Sequence, residues 1–164
     1  MATTASISCQ ISINRTLTTG VDNASTPNVA LSAGARTSLT SSTTPDVENG
    51  VAARLALTAG AKTVDLTAID DVNGATATAS GKKVRAILFR NRSSANNMTF
   101  AQGASNGWTG IAGSWTMTLL PGEKRCIDLS GVAEASVNAV SASLKNIDVT
   151  GTGTDAFDIA LVWG

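Results

Sequence analysis

Alternation with a period of two, repeated along most of the chain and never replaced by a three-turn helical pattern, most restricts what this sequence can fold into. In "DAFDIALVWG", residues 155 to 164, Phe157, Ile159, Leu161 and Trp163 fall on one side. Successive side chains of a strand point to opposite faces, so this is a strand with one packed row. "SISCQISIN", residues 6 to 14, repeats the pattern with Ile7, Cys9, Ile11 and Ile13, and "KTVDLTAI" and "SWTMTLL" do the same. "KKVRAILFRN", residues 82 to 91, differs: Val84, Ala86 and Leu88 oppose Ile87 and Phe89. With apolar groups on both faces, it is expected at the centre of a sheet.

Turn signals punctuate these runs. Asn73-Gly74 is one. In "LLPGEKRCIDLSG", residues 119 to 131, Pro121 is pre-set for a turn and Gly122 can take a positive φ, with a strand on either side. The spacing predicts about nine or ten short strands and therefore an all-β fold, a β-sandwich of jelly-roll-like kind. Residues 51–164 form the expected sandwich. Residues 1–50 are expected to be an N-terminal strand followed by an extended Ser/Thr-rich arm, since the pattern dissolves from Thr18 to Gly50. Helix is expected at most as a short turn near Gly131 to Ala139.

The 164 residues are enough to bury a core without disulfides. Twelve Lys and Arg balance twelve Asp and Glu, so nothing in the net charge calls for nucleic acid or an anionic membrane. Charged residues make up 15%, against about 25% in typical globular proteins. That suits a surface partly covered in an assembly, and equally a β-protein with a neutral hydroxyl surface. The chain has no His, which removes Ser-His-Asp and Cys-His catalysis and imidazole metal ligands. No enzyme activity and no cofactor are expected. Met1 to Ser8 is polar and reads as no secretory leader, so synthesis in the cytoplasm is expected.

Asp70, Asp71 and Asn73 precede a glycine and could form a cation loop, but the terminal acid and flanking helices of an EF-hand are missing, which favours a turn. Asp148, Asp155 and Asp158 could supply a glycosidase-like acid pair, yet alternation places Asp148 and Asp158 on solvent-facing positions. Arg90 and Arg92 end the strongest strand and could hold an anion or pair with nearby acids. Trp115 is expected in the core, and Trp108, in a Gly-punctuated loop, at an interface. Cys9 and Cys126 are expected to be small buried thiols, and their spacing does not decide whether they pair.

Five pieces carry a family resemblance: "LTAGAKTVDLTAIDDVNG" (57–74), "KVRAILFRN" (83–91), "NMTFAQGASNGW" (97–108), "LLPGE" (119–123) and "DAFDIALVWG" (155–164). Their order resembles small β-sandwich virion proteins of tailed and related bacteriophages. Related chains often carry "PGG" where this one has Pro121-Gly122-Glu123, and Tyr where it has Phe157. The resemblance implies a structural protein of the virion: a capsid decoration (cement) protein bound to the major capsid protein as a homo-oligomer, with a trimer the expected order. It also implies two alternatives, a receptor- or glycan-binding spike or fibre module and a small jelly-roll capsid protein.

Overall fold

A computed structural model describes residues 4–16, 28–40, 42–43, 46–71, 74–111, 113–131 and 137–164, with the backbone alone described for 4–16 and 28–39. The described residues contain strands and turns and no α-helix; residues 132–136, where a helical turn was expected, lie outside them.

Two 13-residue strands, β1 (Thr4–Thr16) and β2 (Asn28–Thr40), form a two-stranded sheet. Residues 6–38 make one compact unit of the chain. The stretch read from sequence as a patternless arm thus contains a long strand, β2. Backbone pairing does not require large apolar side chains, and Ala at alternate positions had diluted the signal.

The other unit takes in Met1–Ala5 and Leu39–Gly164. Its longer strands are β3 (Asn49–Ala56), β4 (Ala61–Asp65), β7 (Val84–Asn91), β8 (Met98–Gln102), β9 (Thr116–Leu119), β10 (Lys124–Asp128), β11 (Asn146–Thr150) and β12 (Ala156–Trp163). The two-residue strands β5 (Ile69–Asp70) and β6 (Thr76–Ala77) form a small hairpin. One four-stranded sheet has the order β10-β7-β12-β3 and the other β4-β11-β8-β9, and every neighbouring pair is antiparallel. Numbered by rank among the eight longer strands, the sheets read 6-3-8-1 and 2-7-4-5. This is the nested double Greek key of a jelly roll.

The inner rows of both sheets share one core, in which Phe89, Phe157, Ile159 and Leu161 meet Phe100, Ile147, Val149 and Leu119. Aromatic rings bridge the layers. Phe100 of β8 lies 4.8 Å from Phe89 of β7 and 5.6 Å, edge to face, from Phe157 of β12. Such pairs add about 0.5–1.5 kcal/mol beyond their area burial.

Two polar residues break the inner rows for structural reasons. Asn91, fully buried at the end of β7, donates from Nδ2 to the carbonyls of Asn96, Leu119 and Leu120 at 2.8–3.1 Å and accepts from the Ser93 amide. It ties the end of one sheet to the end of the other. Nearer the start of β7, the pairing passes from Val162↔Ala86 to Trp163↔Val84, which leaves Arg85 as a bulge residue. Arg85 is 3% exposed and bonds Asp46 through its carboxylate and carbonyl, each at 3.3 Å. The bulge also turns Val84 into the core rather than outward with Ala86 and Leu88.

Candidate interaction surface

The two sheets turn chemically different faces outward. On the β10-β7-β12-β3 sheet, the registers align three rows that cross all four strands: Arg54–Asp158–Arg90–Lys124, Ala52–Ala160–Leu88–Cys126 and Gly50–Val162–Ala86–Asp128. The first row is charged and the next two are small and mostly apolar. Ala52 and Cys126 are exposed, and Leu88, Ala160 and Val162 are half-buried.

Asp158 is the hub of the charged row. Arg54 Nε donates to Oδ1 at 3.0 Å, Arg92 Nη1 donates to Oδ2 at 2.9 Å, and Arg90 Nη1 stands 3.9 Å from Oδ2. Partial burial by itself raises the Asp158 carboxyl, but the hydrogen bonds and charges of Arg92 and Arg54 together outweigh it and hold the group below its ordinary value. One carboxylate faces three guanidiniums, with Lys124 next in the row, so this end of the sheet keeps a surplus of positive charge.

That surplus is one pole of the whole domain. At the end of the sandwich reached by the last residues of β3, β7 and the first of β12 lie Arg54, Lys62, Arg90, Arg92, Lys124 and Arg125, against Glu123, Asp155 and Asp158. The opposite end carries Asp46, Glu48, Asp65, Asp70, Asp71 and Asp128, against Lys82, Lys83, Arg85 and Lys145. Among the described residues of this unit, charge is thus polarised along the strands.

The outer face of β4-β11-β8-β9 is hydroxyl-clad. Its rows are Thr63–Asp148–Ala101–Thr116 and Ala61–Thr150–Thr99–Thr118. Thr63 donates to Asp148 at 2.7 Å, the Ala104 amide donates to its other oxygen at 2.8 Å, and Thr99 and Thr118 share a hydrogen bond at 3.1 Å.

Several sequence expectations meet their geometry here. Arg90 and Arg92 do come together, and with an acid, while Arg54 and Lys124 were missed. Solitary charges at outward positions of Ala-rich strands were the available signal. Asp148 and Asp158 stand on opposite faces of the sandwich, so they do not form an acid pair, and Asp155 bonds Asn96 Nδ2 at 3.0 Å. Asp70 accepts from Thr76 across the β5–β6 pair, and Asn73 lies outside the described residues. Among the described residues no three Asp, Glu or Cys side chains gather into a metal-holding group.

Two expectations are corrected. Trp108 is fully buried and cannot be a surface contact or a glycan platform. The amides of Gly103 and Trp108 both donate to the Asn146 carbonyl at 3.0 and 2.9 Å, which folds the 103–110 loop inward. The indole packs edge-to-face on Trp115 at 6.4 Å and so close to Gly110 that a Cβ there would fall 2.0 Å from the ring. Cys126 is exposed rather than packed, because β10 sends Ile127 inward and the row of Lys124, Cys126 and Asp128 outward. The side chain of Cys9 lies outside what the structure describes.

Comparisons with protein-family models, with curated proteins and with solved structures found no match to this chain.

Proposed function

We propose that this chain is a structural bacteriophage virion protein, a capsid decoration (cement) protein that binds the capsid surface as a homo-oligomer. The outer face of the β10-β7-β12-β3 sheet carries the reading: in-register rows of Ala, Leu, Val and Cys, bounded at one end by Arg54, Arg90, Arg92 and Lys124. A smooth apolar strip beside a cationic row suits contact with a second folded surface that offers apolar groups and carboxylates. The partners are the major capsid protein and other copies of the chain. On a particle with many equivalent sites, avidity multiplies a weak single contact. The phage-like order of the sequence pieces supports the choice of particle.

One observation favours a second reading. The 6-3-8-1 and 2-7-4-5 strand order is also that of jelly rolls that build viral shells, so a small capsid protein is the runner-up. A fold hosts many functions, so the site rather than the topology ranks the two.

Cryo-EM of particles from the producing host tests the proposal. Density for the sandwich on the outer surface of a complete shell is the expected result. Density within the shell lattice, or closed shells formed by the chain expressed alone, would replace it with the capsid reading. Absence of the chain from purified particles would overturn both.

A further inference from the structure

We infer that two copies of this chain join edge to edge through β3, the two strands pairing antiparallel about a two-fold axis perpendicular to the sheet. The β10-β7-β12-β3 sheet then continues from one copy into the next, and its outer face stays free for the partner proposed above.

β3 is the sheet edge that this fold leaves least defended. Its only strand partner among the described residues is β12. The Leu57 amide donates to the Asp155 carbonyl, one step beyond the last pair of that register. By alternation, the odd-numbered residues of β3 turn their amides and carbonyls toward β12, and Gly50, Ala52, Arg54 and Ala56 turn theirs away. Asn49 answers one of these groups, its Oδ1 accepting from the Gly50 amide at 2.8 Å. No described backbone group outside the strand ladders answers the amides of Ala52, Arg54 and Ala56, all exposed residues. β5 runs near β3, but it bonds to β6 and sends Ile69 into the core. The other edges are short or guarded by charge. β9 has four residues, and β4 and β10 have five each, with Lys62 and Asp65 on one and Lys124, Arg125 and Asp128 on the other. β3 has eight residues, no proline and one charge, Arg54, whose Nε is held by Asp158. A long edge without such guards is a template for another strand.

The occupant is a second β3. An edge strand needs a partner of like length and low charge, and each copy brings one. Self-pairing about a two-fold axis is antiparallel, the sense of every neighbour in this sheet, and it closes after two copies. With Ala53 near the axis, Ala52 lies opposite Arg54 of the partner subunit, and the two Arg54 positions do not oppose each other. The amides of Ala52, Arg54 and Ala56 in each copy then make about six bonds between the chains. Each replaces a bond to water, so the dimer is weak, with a dissociation constant on the order of 10–100 μM. The contact does not rest on the virion reading. Absence of the chain from particles would leave it standing, and a chain that stays monomeric would leave the cryo-EM test of that reading unchanged.

Sedimentation velocity on the full chain, over a series reaching about 500 μM, is the first test. A monomer–dimer equilibrium is expected, and a trimer, or monomer throughout, overturns the proposal. Amide hydrogen exchange, read residue by residue by NMR, then locates the contact. The Ala52 and Arg54 amides should exchange rapidly in dilute protein and at least about tenfold more slowly once the dimer fills, whereas the Ala53 amide, turned toward β12, stays protected throughout. Protection of Ala52 in the dilute monomer would mean that the edge is already covered, and no protection in the dimer would put the contact elsewhere; either result overturns the proposal. Ala52→Pro removes an outward amide and no bond to β12, so it gives monomer with unchanged circular dichroism, while Ala53→Pro breaks a bond to β12 and lowers Tm. An Ala52→Pro chain that dimerises like the wild type shows the edge to be the wrong one. The exchange measurement uses the wild type and decides the matter whatever that variant's fold.

Discussion

The two outer faces of the sandwich rest on one core and have the same strand geometry, yet they solve the exposed-sheet problem differently. On β4-β11-β8-β9, threonine hydroxyls and Asp148 bond to one another or to the Ala104 amide, so the face is polar and largely self-satisfied. On β10-β7-β12-β3, three arginines converge on one carboxylate with Lys124 beside them, and the other two rows are small and apolar apart from Asp128. The first face keeps its polar bonding within the sheet and within the chain. The second gathers its charge in one row and is small and mostly apolar elsewhere, so two sheets on one core carry opposite surface chemistry.

The comparison holds only if both faces are coatings on a shared interior, and the severest way to break it is Phe100→Ala. That ring bridges the layers, so its loss should cost about 3–5 kcal/mol in denaturant unfolding and release both faces in one transition. Two separate transitions would show that the sheets are independent. Next is Asn91→Ala, which takes the shared donor from the carbonyls of Asn96, Leu119 and Leu120, the second of them in a buried bond; a loss of about 1–3 kcal/mol is expected in denaturant unfolding.

Smaller effects sharpen the contrast. Asp158→Asn leaves three guanidiniums facing one another and should lower stability by about 1 kcal/mol, an effect that high salt reduces. The same carboxyl governs acid behaviour. Its value is depressed in the folded state, so its contribution is full at neutral pH and fades as pH falls below the ordinary carboxyl range near about 3.9. Acid titration of Asp158→Asn should therefore show a shallower decline than wild type. Asp65 supplies part of the decline that remains: burial raises it, while Lys145 and Thr67 together bring it below its ordinary value. Smallest of all, Thr118→Val on the hydroxyl face should change stability by less than about 0.5 kcal/mol. A larger loss there would mean that the veneer is structural after all.

How much of this was legible in the sequence depends on the range of the interaction. The inner row of β12 and the central place of β7 follow from local alternation and from two apolar faces. The strand order does not, because it depends on which distant runs pair, and alternation is silent on partners. Asn91 was half legible, since it continues the inward row of Ile87 and Phe89; the three carbonyls that make its burial tolerable come from other segments. Arg85 escaped altogether because a bulge shifts the parity of β7 at that point. Trp108 and Cys126 were misplaced for opposite reasons. The loop around Trp108 is pinned by Asn146, 38 positions away, and alternation along β10 does not say which of its two rows faces the core.

The place of β12 between β7 and β3 also has a consequence in time. The pairing of Asn49–Ala56 with Ala156–Trp163 joins segments about a hundred residues apart, so the β10-β7-β12-β3 sheet cannot close until the last of these has left the ribosome. Until then β3 and β7 each lack a neighbour along a full edge, and Ile87 and Phe89 lack much of their cover. Folding should therefore be slow, and closure of this sheet waits on the synthesis of β12. The nascent chain, rather than the finished sandwich, is the species most exposed to aggregation.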